Sequence, residues 1–127
     1  MGGIKELTKN LSGGKCMEIR LIGDKHTLLV NIDSELDHHA AGKIREAVDR
    51  KIKSTNAVNI IFDFSKVTFM DSSGIGVIMG RYKVSKMLGG RVIIFGAKKQ
   101  TRRIIEMSGI DRLVKVCDKL CEALELV

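Results

Sequence analysis

The chain has 127 residues, enough to bury one hydrophobic core and too few for a second domain of ordinary size. Its 44% hydrophobic and 29% charged residues argue against disorder, and even the most apolar run, Val58 to Phe64, is interrupted by Asn59 and Asp63, far short of the roughly 18 apolar residues of a membrane span. The net charge of +7 raises nucleic-acid binding as a question, but the cations are scattered, and one Tyr, four Phe and no Trp leave little to stack on bases. The densest group, Lys98, Lys99, Arg102 and Arg103, reads as a solvated helix face or a docking surface for an acidic protein, and no direct nucleic-acid contact is expected.

Residues Met1 to Asn10 have no apolar run of the kind a secretory signal needs, and Glu6 stands where a myristoylation signal has Ser or Thr. A cytoplasmic location with reduced thiols is therefore expected. Cys117 and Cys121 lie four apart and are read as small buried hydrophobes, because no second Cys or His pair follows to complete a metal site.

In chain order, Met1 to Lys15 carries Ile4, Leu7 and Leu11 at helical spacing before Ser12-Gly13-Gly14, and predicts a short helical or flexible arm (residues 1–15) ahead of a domain at 16–127. Cys16 to Ile22 and His26 to Ile32, separated by Gly23-Asp24-Lys25, predict an antiparallel hairpin. Asp37 is placed to cap a helix running to about Lys53, with Ala41, Ile44, Val48 and Ile52 on one face and Arg45, Asp49 and Lys53 on another. Val58 to Phe64 reads as a central buried strand. A second helix is expected from about Gly74 to Leu88, a strand at Arg91 to Phe95, and a third helix from Lys99 to Ser108 stopped by Gly109. A short strand at Leu113 to Val116 and a last helix capped by Asp118 complete the order. Strands and helices in alternation after a hairpin predict an α/β domain with a mixed sheet.

The loop Asp71-Ser72-Ser73-Gly74 carries the chemistry. Two adjacent hydroxyls lie at the start of a helix, among backbone N–H groups without intrahelical partners. Capping by Ser72 or Ser73 is one use of that position. A second is a nucleotide- or anion-binding turn built on Gly74, Gly76 and Gly80, but the Gly-Lys-Ser/Thr ending of a phosphate loop is missing, and the glycines read better as sites of close helix-to-sheet packing. A serine nucleophile is a third, against which stands the chain order: His26, His38 and His39 all precede Ser73, and the Gly-x-Ser-x-Gly turn is absent. Asp37-His38-His39 raises a metal site, but neighbouring side chains at a helix start diverge by about 100° and do not readily share an ion.

The segments Ser34-Glu35-Leu36-Asp37-His38-His39, Phe69-Met70-Asp71-Ser72-Ser73-Gly74-Ile75-Gly76-Val77-Ile78-Met79-Gly80-Arg81-Tyr82-Lys83 and Met107-Ser108-Gly109-Ile110, in one collinear order, resemble the STAS domain, and within it the sporulation anti-sigma factor antagonists. The resemblance spans residues 17 to 127. It departs from the family in Ser34, where many members have Gly, and in the additional residues up to about Cys16.

The resemblance implies a mixed sheet with helices packed mainly on one side, and a partner-switching role without catalysis or cofactor. The unmodified chain would bind a serine-kinase anti-sigma factor and free the sigma factor. The kinase would phosphorylate Ser73, and a metal-dependent phosphatase would reverse this. The partner-binding surface so implied comprises Asp37, Asp71, Ser72, Ser73, Gly74, Ile75, Gly76 and Arg81, with Tyr82 and Lys83 beyond it, on a chain that is monomeric when free. Asp71 is open to two readings, a turn brace or a recognition residue.

Overall fold

A computed structural model describes residues 9–12, 16–23 and 26–127 of the chain. Its centre is a six-stranded sheet in the order β1 (Lys9–Ser12), β2 (Met17–Ile22), β3 (Thr27–Ile32), β4 (Asn59–Asp63), β5 (Val92–Phe95) and β6 (Lys115–Cys117). The first three strands pair antiparallel and β3 to β6 run parallel, so the sheet is mixed. The β2–β3 hairpin forms as the alternation predicted, in the register Met17↔Ile32 to Ile22↔Thr27.

Part of the expected arm is corrected by the sheet. Lys9–Ser12 is neither helical nor loose but pairs with β2, with a register irregularity between Asn10 and Ser12. The outer edge of β2 would otherwise carry unpaired N–H and C=O groups, and an extended neighbour satisfies them. Ile4 and Leu7 of the arm, Gly13, Gly14 and Lys15 after it, and Asp24 and Lys25 of the hairpin turn lie outside the described residues.

Between the parallel strands run α1 (His38–Thr55), α2 (Ser72–Met87) and α3 (Lys99–Ser108). Helix α1 buries Ala40, Ala41, Ile44, Ala47, Val48 and Ile52, the stripe its 3.6-residue period predicted. Those residues pack with Leu28, Val30, Ile60, Phe62, Ile78 and Ile94 into the main core, where Phe62 and Phe64 meet edge to face at 6.1 Å between ring centroids. The opposite face of the sheet is covered by α4 (Leu120–Glu125), whose Ala123 packs with Ile22, Leu29, Ile61 and Ile93. Most helices thus lie on one side, and the central strands are apolar on both faces because both are covered.

The C-terminal region departs from expectation in three places. A 3₁₀ turn at Ile110–Arg112 precedes β6 and moves that strand to Lys115–Cys117. Asp118 does not cap α4: Glu122 reaches back to accept from the backbone N–H groups of Asp118 and Lys119, each at 3.0 Å, while the Asp118 side chain pairs with Arg102 at 2.9 Å. Cys117 lies in β6 and is half-buried, and Cys121 is exposed, so the pair is not the buried helical face expected of it. Burial, with Glu122 and Asp118 adding to it, pushes the Cys117 thiol up from its ordinary value, against a smaller opposing effect of its bond to the Lys119 carbonyl and of Arg102.

Candidate functional site

The parallel pairing of β3 with β4 decides what comes together. Each strand is followed by a loop and a helix, so the starts of α1 and α2 emerge side by side at the same end of the sheet. The two loops are joined by a parallel bridge between Leu36 and Met70, in which the Leu36 N–H donates to the Phe69 carbonyl at 2.8 Å and the Asp71 N–H to the Leu36 carbonyl at 3.4 Å. Leu36 and Met70 are buried beneath the loops. The Asp33–Asp37 turn and the serine loop therefore form one surface.

Both helices open with the same device. Asp37 accepts from the Ala40 N–H at 2.9 Å, and Asp71 accepts from the Ser73 N–H at 2.8 Å. Each satisfies a donor that the first helical turn leaves without a partner, an effect worth about 1 kcal/mol. For Asp71 the turn-brace reading is the observed one. This corrects two expectations about the serines: α2 begins at Ser72, two residues earlier than the Gly74 start predicted, and neither serine is its cap.

Because Asp71 caps the helix, the Ser73 hydroxyl is left for other contacts. It lies half-buried, with Oγ 3.4 Å from His38 Nδ1 at the start of α1, a long contact between two helix starts. Ser72 beside it is exposed. Gly74 is buried, and a Cβ there would run into the Met70 side chain and come within 2.9 Å of Leu36 Cγ, so a glycine is needed for the loop to sit on the sheet. Ile75 is half-buried against the core. At Gly76 and Gly80, by contrast, a Cβ would meet nothing within 4 Å, so the expected role in close packing holds for Gly74 and fails for these two.

Arg81 does not extend this surface. It is 6% exposed and turned inward between α2 and α1, where Nε lies 2.9 Å from Asp49 Oδ1. Nε and Nη1 are buried and find no acceptor along their N–H bonds, so the contact with Asp49 is ionic and poorly directed. Burial lowers the Arg81 pKa from its ordinary value, Asp49 opposes that fall and Arg45 adds to it. The sequence read Arg81 by its charge as surface, but the helical period puts it four residues after Val77 and on the same buried stripe. Tyr82 is half-buried and Lys83 exposed.

Two further residues lie in these loops and helix starts. Phe69 lies two residues before Asp71, where its carbonyl accepts from the Leu36 N–H, and is a large apolar side chain 48% exposed. His38 enters the sequence reading as a metal ligand and as a base that precedes Ser73 in chain order, and not as a spatial neighbour of Ser73. Its signal was the repeated pattern of strand, loop and Asp cap, which in adjacent parallel strands brings the residues after the two caps close together.

Residues 18–123 match the STAS domain family. A curated relative, an anti-sigma F factor antagonist of Paenibacillus polymyxa, is 32% identical over 108 residues, which are 85% of this chain and 92% of the relative. The chain belongs to the STAS domain family, within it to the anti-sigma factor antagonists. Two solved structures share its fold. The anti-sigma factor antagonist SpoIIAA in its unphosphorylated form matches at a TM-score of 0.76 and 28% identity, over 86% of this chain and 93% of that one. The Bacillus cell fate determinant SpoIIAA in its phosphorylated form matches at 0.69 and 28%, over 86% and 96%. These relatives favour partner switching over the alternative of a nucleotide- or anion-binding domain at the Gly74 helix end.

Proposed function

We propose that this chain is switched by phosphorylation of Ser73: unmodified, the surface formed by Asp37, the stretch from Asp71 to Gly76, and Phe69 binds a serine-kinase anti-sigma factor and releases the sigma factor. The kinase then transfers the γ-phosphoryl group of ATP to Ser73 Oγ. The Pγ–O bond to the departing ADP breaks, the P–Oγ bond forms and the hydroxyl proton is lost. A metal-dependent phosphatase hydrolyses the ester and restores the binding form. On this reading the free chain is a cytoplasmic monomer, and Lys9–Ser12 belongs to the switching domain as the edge strand of its sheet.

One observation carries the reading: Asp71 rather than a serine caps α2, so the Ser73 hydroxyl can be modified without loss of the bond that starts the helix. A phosphoserine adds about −1.5 to −2 charge and three acceptor oxygens. At a helix N-terminus an anion is favoured by about 0.3 to 1 kcal/mol, so the fold persists. The inhibition acts at the interface, where phosphate brings bulk and negative charge against the docked kinase. Calorimetry with the cognate kinase tests this: Ser73→Ala binds like the unmodified chain and Ser73→Glu binds poorly. Equal binding by both variants would remove the switch from Ser73.

A further inference from the structure

The contact between Ser73 and His38 joins two elements that are 35 residues apart in sequence, and neither capping nor core packing calls for it. Asp37 already caps α1 through the Ala40 N–H, and His38 is exposed. Its ring is nonetheless held beside the one atom of the loop that modification changes. An imidazole can act as acceptor towards a serine hydroxyl when Nδ1 is unprotonated, and as donor towards an oxyanion when Nδ1 carries a proton. The same nitrogen therefore suits both states of the serine. A phosphoryl group on Oγ carries three oxygens that turn about the Cβ–Oγ bond, and Nδ1 stands 3.4 Å from the pivot.

We propose that His38 is the intramolecular counterion of phosphorylated Ser73: as imidazolium, taking its proton from solvent, it donates from Nδ1 to a phosphate oxygen and holds the phosphate across the starts of α1 and α2. The inference rests on Ser73 being the modified residue. It makes His38 a positioning residue and assigns His39, one residue on and turned by about 100°, no such part.

The charged groups nearest along the chain are the carboxylates Asp37 and Asp71 at the two caps and Asp33 and Glu35 in the loop before α1, with Lys66 exposed in the loop before α2. The two caps are each bonded to a backbone N–H. The first turns of α1 and α2 contain no other acid and, after His38 and His39, no cation before Lys43 on α1 and Arg81 on α2. Arg81 is bound up with Asp49 in the interior. Within these two helix starts, a dianion on Ser73 thus has the histidines as its source of positive side-chain charge.

The test uses the full chain with phosphoserine installed at position 73 during synthesis, so its outcome does not depend on any kinase. The 31P signal is titrated in this chain and in its His38→Gln and His39→Gln forms. With His38 present, the phosphate loses its second proton about half a pH unit lower than in His38→Gln, because an adjacent cation favours the dianion at an exposed site. The difference shrinks in 1 M salt, and His39→Gln titrates like the parent chain. A 31P titration unchanged by His38→Gln, or moved as far by His39→Gln, would overturn the proposal. Kinase treatment that modifies a residue other than Ser73 would instead remove the reading on which it rests.

Discussion

Two serines of α2, one near each end, show how position sets the use of the same side chain. Ser73 lies in the first turn with its hydroxyl outside the capping bond, which Asp71 makes instead. Ser85 lies near the other end, 1% exposed, and donates its hydroxyl to the carbonyl of Val58 at the entry to β4. Next to it the Gly90 N–H donates to the Ser85 carbonyl at 2.8 Å, and a Cβ on Gly90 would collide with the Val58 carbonyl. One hydroxyl locks the helix to the sheet and the other is held at a half-buried, reachable surface. A serine can serve as a reversible switch where its bonding is dispensable to the fold.

The comparison breaks down if either end behaves like the other, and the expected effects fall in order. Ser73→Glu should weaken kinase binding by about 100-fold or more while the melting temperature stays within about 3 °C, as read by calorimetry and thermal unfolding. Gly90→Ala should do the reverse: it forces a backbone carbonyl to move and should cost about 2 to 4 kcal/mol in denaturant unfolding, with unchanged affinity in the folded fraction. Ser85→Ala should cost about 1 to 3 kcal/mol by removing a buried hydrogen bond, again without a binding defect. Asp71→Ala sharpens the line between the two ends, since it should remove about 1 kcal/mol of capping and also loosen the loop that presents Ser73, so both readouts should move slightly.

The Arg81–Asp49 pair supplies a smaller test of the interior. Asp49→Ala should destabilise more than Arg81→Met in denaturant unfolding, because the first leaves a buried cation without its partner and the second removes the charge and keeps the apolar stem. The opposite order would mean that Arg81 does reach solvent.

Most of the architecture was legible because periodicity and strand-end chemistry are local. The α1 stripe from Ala41 to Ile52, the Asp37 cap and the Gly109 stop each follow from a few neighbouring residues. Lys9–Ser12 was not legible, since an edge strand is defined by the partner it meets, and its own spacing resembled a helix. Asp118 failed as a cap because Glu122 and Arg102 competed for the same places. At the candidate site, the sequence points to Ser73 through a resemblance and not through its chemistry, for which capping was also a physical reading. Arg81 was misplaced because charge was weighed above helical phase. His38 was missed because its meeting with Ser73 depends on β3 and β4 being parallel neighbours.

The central claim is that Ser73 is a surface switch on an unchanged fold. Its most direct test is incubation of the chain with ATP and its cognate serine-kinase anti-sigma factor, followed by peptide mass spectrometry of the product and circular dichroism of the same sample. The account predicts a single phosphoryl group on the peptide carrying Ser73, assigned to that serine by fragmentation, with an unaltered spectrum. Modification at Ser72 or elsewhere, or loss of helical signal on modification, would contradict it.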